Sequence, residues 1–309
     1  MELKYPKYEN TKILGWSISR YEIFCKCKRQ YFYYYYSRFA NFVPSYKIRM
    51  LKEMTTVPLE IGNVVHDIIE AFLRRLQKNN SNIDENRFFE FAKQKTQEYF
   101  SRKTFLEKYY NYISSINILE AEEKICKCLR NFINSPIYNW IYMKAITNKI
   151  NWMIEPEGKG ETRLNGLKAY CKMDFLFPVE NEIHIIDWKT GAKDSYKHYL
   201  QLIGYATAAS TNFGISINRI FPKIVYLYPE FNELEINITE KEITDFLSKI
   251  INQTQEMYSY CEDIQNNIPK SIENFPMSPS YGICNYCNFQ ELCFPDRCFD
   301  NKEKNNKEF

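Results

Sequence analysis

The order of the predicted elements favours an α/β or α+β protein in which helices flank a mixed sheet. Amphipathic helices fill the first half of the chain, and short apolar strands fill most of the second half. One helix, over residues 195–211, separates two groups of strands, as a crossover between neighbouring strands does. The strands are expected near residues 149–156, 166–177, 183–188, 221–228 and 233–238.

The helices of the first half are predicted from capping residues and from apolar residues at helical spacing. Ser19 is an N-cap candidate for a helix that runs from Arg20 to about Phe39. Between Pro58 and Gln77, isoleucine and valine recur three and four residues apart, which is typical of an amphipathic helix. Further helices are expected over residues 84–103, 106–134 and 240–263.

The length of the chain indicates its domain organisation, whereas its net charge excludes few functions. The 309 residues are enough for one large domain with a sizeable core, followed by a polar tail over residues 300–309. The net charge is only +3, so binding to nucleic acid would need a local basic groove rather than an overall positive charge. No apolar run reaches the roughly 18 residues of a membrane span, and the N-terminus lacks the features of a signal peptide. We therefore expect a cytoplasmic protein with no membrane contact.

A functional strand end is suggested by Asp187-Trp188-Lys189, which follows the largely apolar run Ile183–Ile186. Side chains alternate between the two faces of a strand, so Asp187 and Lys189 point the same way. An acid and an amine at one strand end can hold a metal ion and a water molecule against a phosphate. The alternative is a salt-bridged strand edge that binds nothing.

A second carboxylate is brought to this strand end by a predicted hairpin. The polar residues 178–182 separate the two strands, and a turn centred on Glu180-Asn181 places Asp174 opposite Asp187. The same register places Lys172 opposite Lys189. Directly opposed side chains have Cβ atoms about 5 Å apart, where like charges are destabilising. The pair therefore favours a divalent cation with oxygen ligands, such as Mg²⁺, and a pair of solvated surface acids is the alternative.

Three further polar side chains are candidates for the same site. His66 follows Gly62 by four residues on a predicted helix, and imidazole is a good ligand for Mn²⁺ and other transition metals. Gln201 and Tyr205 lie four residues apart on the helix after the hairpin, so they share one face. The amide can orient a water molecule or a phosphate, and the phenol can donate a hydrogen bond to a phosphate oxygen. Each of these residues, taken alone, is more often structural.

The cysteine spacing near the end of the chain predicts a cluster or metal site. A Cys-x₂-Cys-x₅-Cys pattern is formed by Cys284, Cys287 and Cys293. A fourth thiolate could come from Cys298 nearby or, from the N-terminal region, from Cys25 or Cys27. Four thiolates can hold zinc or a [4Fe–4S] cluster, and the spacing alone leaves both open. Three ordinary core cysteines are the alternative.

Taken in order, these motifs resemble the PD-(D/E)XK nuclease superfamily, specifically its RecB-like branch with an iron–sulfur cluster. That branch includes the AddB nuclease domain and the CRISPR spacer-acquisition nucleases. The resemblance spans about residues 16–293. Its motifs are Ser17–Glu22 with Cys27, Gly62-x₃-His66, Asp174, Asp187–Gly191, Gln201-x₃-Tyr205, and Cys284, Cys287 and Cys293. The family usually has Cys-Pro where this chain has Cys27-Lys28.

The resemblance implies a restriction-endonuclease-like fold, in which helices flank a mixed central sheet. It implies one nuclease domain over residues 1–299, with a helical insertion at about 80–148. It also implies that Cys27 supplies the fourth ligand, so that an iron–sulfur clasp joins two distant parts of the chain. The clasp residues are Cys27, Cys284, Cys287 and Cys293.

By the same resemblance, the activity is hydrolysis of DNA with Mg²⁺ or Mn²⁺, as an exonuclease on single-stranded ends. The implied metal ligands are His66, Asp174, Asp187 and the carbonyl of Trp188. The implied residues that act on the water and the phosphate are Lys189, Gln201 and Tyr205. Expected partners are single-stranded DNA and either a helicase or CRISPR adaptation proteins, in DNA repair, recombination or CRISPR adaptation. The alternative is a catalytically silent nuclease-fold subunit that binds DNA within such a complex.

Overall fold

The computed structural model describes residues 3–79, 83–155 and 160–295, which form two compact units. The first unit is built from described residues of Met1–Asn10, Pro58–Ser101 and Ile118–Ile251. The second is built from described residues of Thr11–Val57, Arg102–Asn117 and Asn252–Phe309. The predicted polar tail over 300–309 and Cys298 lie outside the described residues.

The bounds of the elements are as follows, in chain order. The helices are α1 (Ile18–Lys26), α2 (Lys28–Tyr35), α3 (Ser45–Glu53), α4 (Val57–Lys78), α5 (Glu85–Arg102), α6 (Leu106–Tyr109), α7 (Ile118–Ile133), α8 (Pro136–Met143), α9 (Ser195–Phe213), α10 (Glu240–Tyr258), α11 (Tyr281–Cys284) and α12 (Gln290–Cys293). The strands are β1 (Met153–Ile154), β2 (Glu161–Leu164), β3 (Leu167–Tyr170), β4 (Phe175–Val179), β5 (Glu182–Lys189), β6 (Ile220–Tyr226), β7 (Asn232–Glu235), β8 (Cys261–Asp263) and β9 (Ile268–Pro269).

The first unit is organised around a five-stranded mixed sheet with the strand order β1-β4-β5-β6-β7. β5 and β6 are parallel, and the other neighbours in the sheet are antiparallel. The parallel pair requires a crossover, which α9 provides. The predicted mixed α/β architecture is therefore confirmed, and it is consistent with a restriction-endonuclease-like fold.

The single strand predicted over residues 166–177 is wrong, because the structure divides it into β3 and β4. β3 pairs with β2 in a separate two-stranded ribbon, whose loop is Asn165-Gly166 with both φ angles positive. Between β3 and β4 the backbone leaves the ladder, and Cys171 donates its N–H to the carbonyl of Gly160 at 2.8 Å. A Cβ atom at residue 160 would lie 2.3 Å from the Cys171 oxygen, so this close approach requires glycine.

Three of the predicted helices are also shorter than expected, and the one expected over residues 240–263 ends at Tyr258, before β8. The helix expected over residues 20–39 is broken at Cys27, whose φ of −161° and ψ of 115° are extended. Its N-cap is Ser17 rather than Ser19, because Ser17 Oγ accepts the N–H of Arg20 at 3.1 Å. The helix expected over residues 106–134 is two helices, α6 and α7. Four helices of the described residues were not predicted from the sequence, namely α3, α8, α11 and α12.

Aromatic side chains hold the sheet of the first unit against α7 and α8. Trp188 of β5 is 1% exposed and meets Phe132 of α7 edge to face, with ring centroids 5.2 Å apart. On the same face of the sheet, His184 stacks between Phe177 and Phe221 at 5.8 and 5.3 Å. Since strand side chains alternate, this packing leaves Asp187 and Lys189 on the opposite face.

Replacing His184 by phenylalanine is expected to make the protein less sensitive to acid. Burial lowers the pKa of His184, although the neighbouring Glu182 opposes this effect. The unfolded chain therefore binds a proton more readily than the folded one, so stability is lost as the pH falls below the ordinary value of 6.5. Phenylalanine keeps a ring in the stack and cannot be protonated. Between about pH 7.5 and pH 5, the Tm of the variant should fall less than that of the wild type; an equal fall would contradict the prediction.

None of the helices among the described residues combines the length and the apolar character that a membrane crossing needs. The predicted insertion over residues 80–148 is helical where it is described, and it contains α5, α6, α7 and α8. Residues 80–82 of that insertion lie outside the described residues.

Candidate active site

The carboxyl end of β5 carries an acid and an amine on one face, as its alternation predicts. Asp187 is 2% exposed, whereas the side chain of Lys189 is 23% exposed. The ammonium of Lys189 contacts Asp187 Oδ2 directly. This strand end therefore combines a buried carboxylate with an amine that solvent can reach.

The β4–β5 hairpin brings Asp174 to the same place. Its register pairs Phe175 with Ile186, and it turns through a two-residue loop in which Glu180 has a φ of 53°. This is the predicted register over the residues that pair, and the ladder begins at Phe175. Asp174 is tied to the end of β5 by a side-chain hydrogen bond instead of a ladder pair. Asp174 lies just before β4, is 9% exposed, and accepts the Trp188 N–H on Oδ2 at 2.8 Å.

His66 reaches this carboxylate from α4. Its Nδ1 lies 3.2 Å from Asp174 Oδ2. Gly62 lies one helical turn earlier, where an added Cβ atom would be 3.2 Å from Thr190 Oγ1. The glycine therefore lets the segment that follows β5 approach the helix that carries the imidazole.

Gln201 and Tyr205 approach Asp187 from α9. Asp187 Oδ1 accepts the Tyr205 hydroxyl at 2.5 Å and the Gln201 amide at 3.3 Å. The Gln201 carbonyl oxygen is buried and has no hydrogen-bond partner among the described residues. One acceptor in the site is therefore free to bind a water molecule or a ligand.

The two aspartates have opposite pKa shifts, although both are buried. Burial and the charge of Asp174 raise the pKa of Asp187, against the effect of Lys189. Burial also opposes ionisation of Asp174, but the neighbouring His66 and Lys189 outweigh it and lower the pKa. Because the charge of one carboxylate raises the pKa of the other, the two are difficult to ionise together, and a bound cation would stabilise both charged forms.

The raised pKa of His66 also indicates that positive charge is favoured beside Asp174. Burial alone would lower its pKa, but the charge and hydrogen bond of Asp174 raise it to about 9. A proton on His66 therefore acts as a partial substitute for a cation at Asp174. A metal ion that binds there would have to displace this proton.

Glu155 is a site residue that the sequence analysis did not identify. One carboxylate oxygen each of Glu155 and Asp174 and one His66 nitrogen lie within 4.8 Å of one another. Glu155 has a φ of 44°, and its N–H donates to the Asp174 carbonyl at 2.9 Å. Burial raises its pKa, against the effect of Lys172, whose ammonium lies 2.5 Å from Glu155. Lys172 therefore pairs with Glu155, and the predicted position opposite Lys189 is wrong, because the chain leaves the ladder before β4.

The second unit brings four cysteines to the lining of one small cavity. They are Cys27, Cys284, Cys287 and Cys293. Burial raises the pKa of Cys287 to about 12 and that of Cys293 to about 11. Cys25, the other N-terminal candidate, is exposed.

A comparison with protein families matches residues 15–294 to the PD-(D/E)XK nuclease superfamily. The chain belongs to the PD-(D/E)XK nuclease superfamily. The match covers the whole β4–β5 hairpin, α9 and the residues around both sites. No curated protein matches the chain.

Membership of the PD-(D/E)XK superfamily implies a metal-dependent nuclease with DNA as its substrate. Nucleases of this superfamily generally use divalent metals such as Mg²⁺. The donor set of Glu155, Asp174 and His66 fits such an ion, because hard divalent cations take oxygen ligands and Mn²⁺ also accepts imidazole.

Proposed function

We propose that the chain is a Mg²⁺- or Mn²⁺-dependent deoxyribonuclease that degrades single-stranded DNA from an end. The observation that supports it best is the placement of Lys189 against Asp187, opposite Asp174 and His66. An inactive relative would be expected to have lost at least one of these groups. Every position that the chemistry needs is occupied by a suitable side chain.

The metal ligands would be His66, Asp174, Asp187 and the carbonyl of Trp188, with Glu155 as a further carboxylate. Bound divalent metal would polarise the phosphate and lower the pKa of a water molecule. Asp174 is oriented for this role by the Trp188 N–H, and Asp187 by the Tyr205 hydroxyl. These hydrogen bonds fix the carboxylates before a ligand arrives.

Lys189 would position the attacking water and offset the negative charge that develops on the phosphate. Its ammonium is already held at Asp187, so little reorganisation is needed. The buried carbonyl oxygen of Gln201 is a free acceptor, and it would accept a hydrogen bond from that water. Tyr205 would keep both Gln201 and Asp187 in place, because its hydroxyl contacts both.

The preference for a single strand is supported by the recessed position of the carboxylates. Asp174 and Asp187 are 9% and 2% exposed, so the scissile phosphate has to reach carboxylates that lie below the surface. A duplex has a persistence length of about 50 nm and bends into such a site at a cost, whereas a single strand is flexible. Lys193 and Lys197 follow β5 and could contact phosphates at the entrance.

A cellular role in DNA repair, recombination or CRISPR adaptation is proposed from the resemblance to RecB-like nucleases. A helicase or an adaptation protein would then supply the single strand. Both settings would place the protein in the cytoplasm.

The test of this function is cleavage of matched DNA substrates by the purified protein with Mg²⁺ or Mn²⁺. Linear single-stranded DNA should be degraded, while linear duplex and circular single-stranded DNA of the same sequence should persist. EDTA should stop the reaction. Cleavage of the circle would overturn the requirement for an end, and no metal-dependent cleavage of any substrate would favour a silent DNA-binding subunit.

Replacing Gly62 by alanine is expected to slow cleavage without unfolding the protein. The new Cβ atom would press on Thr190, the residue directly after Lys189. Displacing a catalytic group by a fraction of an ångström can cost about 10-fold in rate. The matched control is Gly282→Ala, because a Cβ atom there meets nothing within 4 Å. Equal rates for both variants, with equal Tm values, would contradict the steric argument.

The four clasp residues would hold a [4Fe–4S] cluster. The spacing of the four cysteines leaves zinc or a [4Fe–4S] cluster open, and the resemblance to the RecB-like branch supports the cluster. Burial raises the pKa of Cys287 and Cys293, so a bound cation that compensates the buried charge would favour their thiolate forms.

A further inference from the structure

A buried histidine–tyrosine pair lies next to the proposed catalytic lysine, and the mechanism above does not use it. His198 Nδ1 and Tyr226 Oη are 2.6 Å apart. The two residues are 5% and 2% exposed. Their hydrogen bond offsets the cost of burying two polar groups, but an apolar pair would avoid that cost. The pair therefore suggests a role beyond packing.

The sheet places Tyr226 directly beside Lys189. β5 and β6 are parallel, and these two residues are Cα partners in the register. Partners on neighbouring strands have side chains on the same face of the sheet. The tyrosine therefore shares the face that carries Asp187. The partner of Asp187 in the same ladder is Ile224, which offers no polar side chain.

His198 belongs to the same face of α9 as the two residues that contact Asp187. It precedes Gln201 by three residues and Tyr205 by seven, which is the spacing of one helical stripe. Gln201 and Tyr205 bond to Asp187, whereas His198 bonds to Tyr226. One stripe of α9 thus holds Asp187 directly and reaches the neighbourhood of Lys189 through Tyr226.

Two more contacts fix Tyr226 relative to the segment around Lys189. The ammonium of Lys193, in the segment between β5 and α9, lies 5.3 Å from the centre of the tyrosine ring. This is a cation–π distance. The N–H of Leu227, directly after the tyrosine, donates to the carbonyl oxygen of Lys189 at 2.8 Å. Tyr226 is therefore held by contacts with α9 and with the segment between β5 and α9, and the residue after it is bonded to the end of β5.

We propose that Tyr226 is a positioning residue for Lys189 and that His198 holds Tyr226 in place. A lysine has a flexible four-carbon stem, so its ammonium stays at one place only where neighbours exclude other rotamers. Tyr226, the register partner of Lys189 on β6, would restrict the rotamers of the lysine stem and so keep the ammonium directed to Asp187. The inference rests on the proposed nuclease function, because it assigns a role towards the lysine of that site.

The kinetic test uses Tyr226→Phe, which keeps the ring and removes the bond to His198. The expected result is a kcat lower by about 10-fold with an unchanged KM, which is the factor that one buried hydrogen bond can contribute. The matched control is Tyr199→Phe, because Tyr199 lies on the same helix and donates to Glu242 instead. His198→Asn, which keeps a polar atom near Nδ1, should retain most activity, whereas His198→Leu should behave like Tyr226→Phe. Wild-type kcat in Tyr226→Phe would overturn the inference.

A second measurement needs no turnover and separates this inference from the proposed function. The ¹⁵N chemical shift of Lys189 Nζ, followed by NMR in the full-length protein, should change in Tyr226→Phe and His198→Leu but not in Tyr199→Phe. An unchanged shift in the first two variants overturns the inference, even if the wild type cleaves DNA. A changed shift in a protein that cleaves no DNA supports the positioning contact and overturns the nuclease function alone.

Discussion

Replacing Asp187 by asparagine is expected to abolish both metal binding and cleavage. The substitution keeps the shape of the side chain and removes the charge that faces Asp174 and Lys189. Without a bound metal ion, no water molecule is activated for attack on the phosphate. The cleavage rate should therefore fall by at least about 1,000-fold. The measurement is the initial rate of cleavage of linear single-stranded DNA, with Mn²⁺ binding followed by calorimetry.

The matched control is Asp245→Asn, which makes the same chemical change at an exposed position of α10. It should bind Mn²⁺ and cleave DNA as the wild type does. The fold of Asp187→Asn should persist, because removing a buried charge next to another acid relieves repulsion. A variant that folds, binds Mn²⁺ and cleaves normally would disprove the role of Asp187.

Replacing Cys287 by serine is expected to remove most of the iron and to destabilise the second unit. Cys27 and the three later cysteines line one cavity, so a bound cluster would close a loop of more than 250 residues. By the loop-closure argument used for disulfides, closing such a loop contributes about 5 kcal/mol to the free energy of unfolding. For a domain of this size, that corresponds to a fall in Tm of about 10–20 °C.

Cys25→Ser is the control for the clasp, because Cys25 lies two residues from Cys27 and is exposed. Protein purified without oxygen should contain about four iron atoms per chain in the wild type and in this control. Cys287→Ser should contain far less iron. If none of the three proteins contained iron and zinc were found in its place, the clasp would be a zinc site and not an iron–sulfur cluster.

The hairpin that joins Asp174 to Asp187 could be predicted because strand alternation and a short polar turn determine its register. The pairing of Phe175 with Ile186 follows from the same arithmetic. The residues on α9 could be predicted for a similar reason, since helical spacing puts Gln201 and Tyr205 on one face. Local periodicity was sufficient for the β4–β5 hairpin and for α9.

Glu155 could not be predicted in this way, because it does not lie on a regular element. Its carboxylate reaches Asp174 from a residue with a positive φ, just after the two-residue strand β1. Side-chain direction at such a position follows from tertiary contacts, which a periodic pattern does not encode. The break of the first helix at Cys27 is similar, since Cys27 adopts an extended conformation inside an otherwise helical pattern.

The β2–β3 ribbon was predictable and was missed. Asn165-Gly166 is a strong signal for a two-residue hairpin loop, and both residues have positive φ angles in the structure. The apolar content of residues 166–177 suggested one long strand instead. The turn residues were the better guide, because they determine where the chain reverses.

In the proposed mechanism, Lys189 and the carboxylates beside it cleave DNA with a divalent metal. The most direct test of this mechanism compares the wild type and Lys189→Ala in single-turnover cleavage of linear single-stranded DNA with Mg²⁺, each purified identically. We expect rapid cleavage by the wild type that EDTA stops, and a rate at least about 1,000-fold lower for Lys189→Ala, with Mn²⁺ still bound. Equal cleavage by both proteins, or none by the wild type, would contradict it.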